Sequence, residues 1–167
     1  MLKGKKAKML KKKMNSNNKV IKINNVDEII KIGKKIGLKA FPNMLITMNG
    51  DLGAGKTTMT KGIAKGLGIT KVVNSPTFTI MKIYEGRLTL YHLDVYRITN
   101  PDLDFELEEY FEDDGVCVIE WANQIEKLLP SSYMNINIKD LGDNKRELEF
   151  EVIGNNKEYK KIVEKTK

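Results

Sequence analysis

An α/β fold is predicted for this chain: a single domain with a central mixed β-sheet flanked by helices. Two stretches carry that expectation. Residues 50–57 read G-D-L-G-A-G-K-T, between an apolar run at 44–48 and a proline-free stretch of good helix formers at 56–67. Strand, glycine-rich turn and helix are the context in which the G-x-x-x-x-G-K-[ST] pattern marks a phosphate site, so the sheet is expected to be P-loop NTPase-like. Residues 116–120, V-C-V-I-E, add an apolar run that ends in a carboxylate. A buried strand beside the phosphate loop, ending next to a metal, reads in this way.

The other elements follow from local chemistry. Residues 20–23 alternate as a short strand. Asn25 followed by Glu28 resembles a capping box. Apolar Val26, Ile29, Ile30, Ile32 and Ile36 continue that helix to about Leu38. Residues 71–78 form a loop, because Pro76 restrains both itself and Ser75. Residues 78–84 and 88–96 read as a hairpin joined at Glu85-Gly86. An acidic helical stretch at 101–111 precedes the strand at 116–120, and a short helix at 125–129 ends near Pro130. Residues 134–138 and 146–152 make a second hairpin around Gly142-Asp143-Asn144, and residues 156–165 a closing helix, polar on most faces. There is no repeat and no internal linker.

Length and composition narrow the class. At 167 residues the chain can bury a proper core as one domain. The single cysteine, Cys117, lies in an apolar run and reads as a small buried hydrophobe in a reducing compartment. No apolar run approaches the ~20 residues of a membrane-spanning helix. The basic N-terminus lacks the apolar stretch of a secretory signal, so a cytoplasmic protein is expected. The net charge of +7 suggests a nucleic-acid binder, but its distribution argues otherwise. Residues 1–18 hold seven lysines and no acid, and the remaining 149 residues balance 22 basic against 22 acidic side chains. The excess belongs to a tail, expected to be disordered, and residues 19–167 form the domain. An electrostatic arm for RNA is one reading of that tail. A solvated extension, or an upstream start with Met14 as the true beginning, is favoured over it.

The chemistry concentrates at three places. Gly50, Gly53 and Gly55 let successive N–H groups point into one nest, and the positive end of the following helix adds to the field. Such a turn holds an anionic phosphate chain. Lys56 can reach terminal phosphates and the Thr57 hydroxyl can ligate magnesium. Glu120 can hold the metal directly or through water, or polarise the attacking water. Trp121, the only tryptophan, is either core, a cover for the site or a partner contact. On a strand at 91–97, His92, Asp94 and Tyr96 share one face and Leu93 and Val95 the other. A single histidine is usually structural. Asp94 is different, because an acid on a buried strand needs a cation, a donor or a job. Magnesium through water, Lys56, or the hydrolytic water are its candidate partners. Lys56, Asp94 and Glu120 are therefore the catalytic candidates.

Four segments match one family in order and spacing. Gly50-Asp51-Leu52-Gly53-Ala54-Gly55-Lys56-Thr57-Thr58, Ser75-Pro76-Thr77-Phe78, His92-Leu93-Asp94-Val95-Tyr96-Arg97 and Ile119-Glu120-Trp121 resemble the TsaE (YjeE) family. These are small bacterial ATPases of tRNA threonylcarbamoyladenosine synthesis. The resemblance runs from about residue 20 to 152, leaving the tail and the last helix outside. Asn43 stands where the family often has glycine, and Asp104-Phe105-Glu106-Leu107 varies from its usual helical segment. The resemblance implies binding of ATP and Mg2+ and weak hydrolysis, stimulated by the TsaB–TsaD pair. That pair transfers the threonylcarbamoyl group to the adenosine beside the anticodon, so tRNA is met through the complex. By position, Asp51, Leu52, Gly53, Ala54, Gly55, Lys56, Thr57 and Thr58 would be the cofactor-binding run. Thr57 and Glu120 would hold magnesium, and residues 75–78 and 92–97 would resemble switch segments. Residues 24–26 and Lys145 or Arg146 are candidates for adenine contact.

Two other classes fit parts of the pattern. A small-molecule P-loop kinase should carry an arginine-rich lid, yet the arginines are only Arg87, Arg97 and Arg146. A nucleotide-regulated RNA-binding module would use the basic tail. A guanine-nucleotide switch lacks its Asn-Lys-x-Asp motif here.

Overall fold

Strong apolar runs set the centre of the sheet. β2 (Leu45–Asn49), β4 (Leu90–Asp94) and β5 (Val116–Glu120) are buried almost throughout, as strands covered on both faces must be. They are parallel neighbours in the order β2-β5-β4. Around them the computed structural model, which describes residues 18–77, 79–98 and 106–166, adds β1 (Asn18–Ile23), β3 (Met81–Tyr84), β6 (Tyr133–Gly142) and β7 (Lys145–Ile153). The seven-stranded sheet runs β1-β7-β6-β2-β5-β4-β3. β6 lies parallel to β2, whereas the β1–β7, β6–β7 and β3–β4 pairs are antiparallel. The mixed sheet is thus as expected. Of the basic tail expected at residues 1–18, residues 1–17 lie outside the described residues and Asn18 begins β1; Phe78 and residues 101–105 of the acidic stretch also lie outside.

Helices cover both faces. α1 (Val26–Leu38) and α2 (Lys56–Gly66) contribute Ile29, Ile32, Ile36, Met59 and Ile63 to the larger core, and α4 (Lys157–Lys165) adds Tyr159, Ile162 and Val163. α3 (Glu106–Glu112) and a 3-10 segment (Ala122–Leu128) close the smaller core around Leu93, Cys117 and Ile119. Asn25 caps α1 by accepting the Glu28 N–H at 3.1 Å, and Glu28 reaches back to the N–H of Asn24 at 2.8 Å. The expected capping box is present, with its return bond one residue earlier.

Glycines bring α1 and α2 into backbone contact. Gly33 and Gly37 face Gly62 and Gly66. A Cβ at Gly33 would lie 2.6 Å from the Met59 carbonyl, and one at Gly37 or Gly62 would press into the carbonyl of Ile63 or Ile30. This close approach locks the helix carrying the phosphate loop against its neighbour.

Four expectations change in detail. The first hairpin has shorter strands, and Tyr84 pairs with Leu90 across a five-residue connection rather than a turn at Glu85-Gly86. Gly86 serves packing instead, since a Cβ there would sit 2.5 Å from the Leu67 carbonyl, the acceptor of the Arg87 N–H. The segment at 125–129 is 3-10 with a break at Ile125, and Leu129 is extended because Pro130 follows. β4 stops at Asp94, so Tyr96 leaves the strand face and is 54% exposed. The last helix is not merely polar: the Tyr159 hydroxyl accepts the buried Leu45 N–H at 2.8 Å. Asn43 adopts φ 70, a left-handed conformation that glycine takes freely and asparagine tolerates.

Gly37→Ala should therefore overpack the α1–α2 seam. The expected cost is about 1–3 kcal/mol, a fall in Tm of roughly 2–12 °C by calorimetry. An unchanged Tm would show that the two backbones do not meet there.

Candidate functional site

Strand alternation aims the acids. Along β5, Val116, Val118 and Glu120 share the face that packs against α1 and α2, while Cys117 and Ile119 take the other. On β4 the same face carries Leu90, His92 and Asp94. Asp94 registers with Glu120, and Glu120 with Met48 near the end of β2. Three parallel strands thus end in one row, at the position where the chain leaves β2 for the glycine-rich turn. Open parallel sheets place ligands at this carboxyl edge.

The turn itself depends on its glycines. Gly53 has φ 80 and Gly55 φ 125, conformations that favour glycine. Gly50 is required for space, since a Cβ there would meet the Ile138 carbonyl at 2.6 Å. α2 starts at Lys56 with no side-chain cap and no acid in its first turn, in contrast to α1 and α4, which Asn25 and Asn156 cap. Its first amides, among the described residues, keep the positive end of the helix open. Arg146 on β7 holds the turn from behind. Its Nε donates to the Ala54 carbonyl at 2.8 Å, and its Nη1 donates to Asp140 at 3.0 Å.

Lys56 is the centre of the cleft. It is 7% exposed, and its ammonium donates to the carbonyls of Gly50 and Asp51 and lies 4.2 Å from the centre of the Trp121 ring. Burial pushes its pKa below the usual lysine range, against the opposing pull of Glu120, Asp94 and Asp51. The Thr57 hydroxyl lies 3.4 Å from Glu120 Oε1, and His92 Nε2 lies 3.7 Å from Glu120 Oε2. Asp94 is better satisfied: it accepts from the Thr77 hydroxyl at 3.1 Å and from the Tyr96 N–H at 3.0 Å. Trp121 adopts φ 61, unusual for a bulky residue, and packs 4.9 Å from the Tyr96 ring. Its backbone N–H donates to the Met48 carbonyl at 3.2 Å.

Most of the sequence candidates converge. Leu52, Gly53, Gly55, Lys56, Thr57, Thr58, Asp94 and Glu120 line the cleft, joined by Ser75, Thr77 and Trp121. Asp51 and Ala54 shape the turn instead: the Ala54 N–H bonds the Asp51 carbonyl at 3.0 Å, and Ala54 is buried. Arg146, a candidate for adenine, has its guanidinium engaged by the loop and Asp140. Its signal in the sequence was only a charge inside an alternating strand. His92 is fully buried, and its contact with Glu120 was not foreseen.

Fold and site define the class: a P-loop α/β protein with two carboxylates beside the loop lysine. The family model described as threonylcarbamoyl adenosine biosynthesis protein TsaE matches residues 23–148, and the chain belongs to the TsaE family. The chain is 52% identical over 132 residues to the tRNA threonylcarbamoyladenosine biosynthesis protein TsaE of Bacillus subtilis, covering 78% of this chain and 84% of that one. A protein of the same description from Treponema pallidum is 41% identical over 118 residues, 70% of this chain and 87% of the relative. The crystal structure of Bacillus subtilis YdiB superposes with a TM-score of 0.76 at 43% identity, covering 89% of this chain and 93% of that one.

Arg146→Leu keeps bulk but leaves the Ala54 carbonyl without its donor. A cost of about 1–3 kcal/mol is expected, with faster amide exchange in the turn at 53–57. Unaltered protection of those amides would mean that Arg146 does not support the loop.

Proposed function

We propose that this protein is a Mg2+-dependent ATPase of tRNA threonylcarbamoyladenosine biosynthesis, acting in the cytoplasm with the TsaB–TsaD pair and meeting tRNA through that complex. The observation that carries the reading is the convergence of Lys56, Thr57 and Glu120 on an uncapped helix start. Family membership supports the pathway, and the names of the relatives support the modified nucleoside. No helix among the described residues is long and apolar enough to cross a membrane.

The residues suit the cofactors. Thr57 Oγ1 and Glu120 Oε1, 3.4 Å apart, are hard oxygen donors of the kind magnesium takes and would hold the ion. The described residues contain no cluster of three or more His, Cys, Asp or Glu side chains suited to a metal. When bound, the ion neutralises charge on the phosphates and polarises the bond to be cut. The turn amides and Lys56 would bind the phosphate chain, exchanging the ammonium's contacts with loop carbonyls and Trp121 for stronger charged ones. Asp94 lines the same cleft, held by the Thr77 hydroxyl and the Tyr96 N–H, and would orient the hydrolytic water. Thr77 and Tyr96 belong to the two segments that resemble switches, so their hydrogen bonds to Asp94 would link nucleotide state to surface loops. Arg87 is committed to the fold, donating to the carbonyls of Gly37 at 2.9 Å and Ala40 at 3.1 Å. With Arg146 also engaged, the arginine lid of a small-molecule kinase has little to draw on.

An ATPase assay with and without purified TsaB–TsaD tests the proposal; slow hydrolysis that rises with the pair is expected, and no effect of the pair contradicts it. Lys56→Ala should weaken Mg-ATP binding by about 1.5–3 kcal/mol, roughly tenfold to over a hundredfold by titration calorimetry. Glu120→Gln should lower hydrolysis by about tenfold or more while nucleotide affinity changes less, because misplaced groups cost more in turnover than in binding. Wild-type hydrolysis by that variant would move the metal carboxylate to Asp94.

A further inference from the structure

His92 is the one buried polar side chain at the site whose nitrogens both lack hydrogen-bond partners among the described residues. It is 0% exposed, on the strand that also carries Asp94. A fully buried imidazole with no partner loses its hydration for nothing in return, so such a group calls for an explanation. A carboxylate oxygen, Glu120 Oε2, lies 3.7 Å from Nε2. The other oxygen of that carboxylate, Oε1, faces the Thr57 hydroxyl at 3.4 Å. Glu120 is therefore bracketed, with one oxygen toward the start of α2 and the other toward β4. Neither approach is a full-strength hydrogen bond, whereas both oxygens of Asp94 have donors at 3.0 and 3.1 Å. A shift of about 0.8 Å brings the Nε2–H within normal range of Oε2.

We propose that His92 is a positioning residue for Glu120: its Nε2–H donates to Oε2 and thereby fixes Oε1 toward Thr57 and the metal position. This rests on the magnesium–nucleotide reading of the site. The tautomer it requires leaves only the acceptor Nδ1 unpaired, and an unpaired acceptor is more readily tolerated than an unpaired N–H. Outer partners of this kind orient a metal-binding carboxylate, and removing one lowers metal affinity about 10–100-fold without touching the ion.

The test is a Mg2+ titration of the full chain at fixed concentration of a non-hydrolysable ATP analogue, beside nucleotide affinity in chelator and the Tm. His92→Leu should raise the Mg2+ midpoint about tenfold or more, with metal-free nucleotide affinity held within about twofold. His92→Gln places an N–H where Nε2 stood and should restore the midpoint; His92→Asn mimics Nδ1 and should not. In a Glu120→Gln background, His92→Leu should add no further shift, since the two residues act as one unit. An unchanged midpoint in His92→Leu, equal behaviour of the Gln and Asn variants, or a full additional shift on Glu120→Gln each overturns the proposal. If His92→Leu does not fold, the Gln and Asn pair decides alone. A wild-type protein that binds the analogue without any Mg2+ dependence overturns the functional reading itself, a result distinct from all of these.

Discussion

A buried ammonium needs compensation, and the arrangement of the site follows from supplying it to Lys56. Desolvation works against the charge, while Glu120, Asp94 and Asp51 work for it. The carbonyls of Gly50 and Asp51 and the face of Trp121 take up the rest of the ammonium's contacts. Each of these partners is weaker than a phosphate, and two carboxylates side by side repel one another unless a cation lies between them. Lysine, acids and open helix start together form a site whose charges are balanced only in part by the protein.

That balance depends on topology. Parallel pairing of β2, β5 and β4 ends three strands in one row, and the period of two turns Glu120, Asp94 and His92 toward the α2 side. The antiparallel half of the sheet then braces the loop, with Arg146 of β7 on the Ala54 carbonyl. The glycine seam of α1 and α2 holds the far end of the same helix. Trp121 in a left-handed conformation is strain located at the site, a place where such strain is commonly held by surrounding contacts. Here those contacts are the Met48 carbonyl and the Tyr96 ring.

Elements written in local chemistry were legible in advance. The glycine-rich turn between β2 and α2, the strand V-C-V-I ending in Glu120, and the helix begun by Asn25 and Glu28 all fall where their patterns put them. The Asp143-Asn144 turn does too, with φ of 52 and 62, the two left-handed residues of a tight hairpin. What escaped depends on distant partners. Gly86 resembles a turn glycine, but its need is set by the Leu67 carbonyl. Arg146, read as a candidate for adenine contact, shows its hold on the Ala54 carbonyl only once β7 is placed behind the loop. His92 gains meaning only when β4 and β5 are aligned, and the break at Ile125 has no signal beyond Pro130 downstream.

Because Trp121 is the only tryptophan and Lys56 rests on its ring, its fluorescence would report on the exchange of that contact for the proposed phosphate. Titration of the wild-type chain with Mg-ATP should change Trp121 emission saturably, with the midpoint found by calorimetry. Lys56→Ala should show no such change over the same concentrations. Calorimetric binding of Mg-ATP that leaves Trp121 emission unaltered would contradict the claim that nucleotide takes Lys56 from its resting contacts.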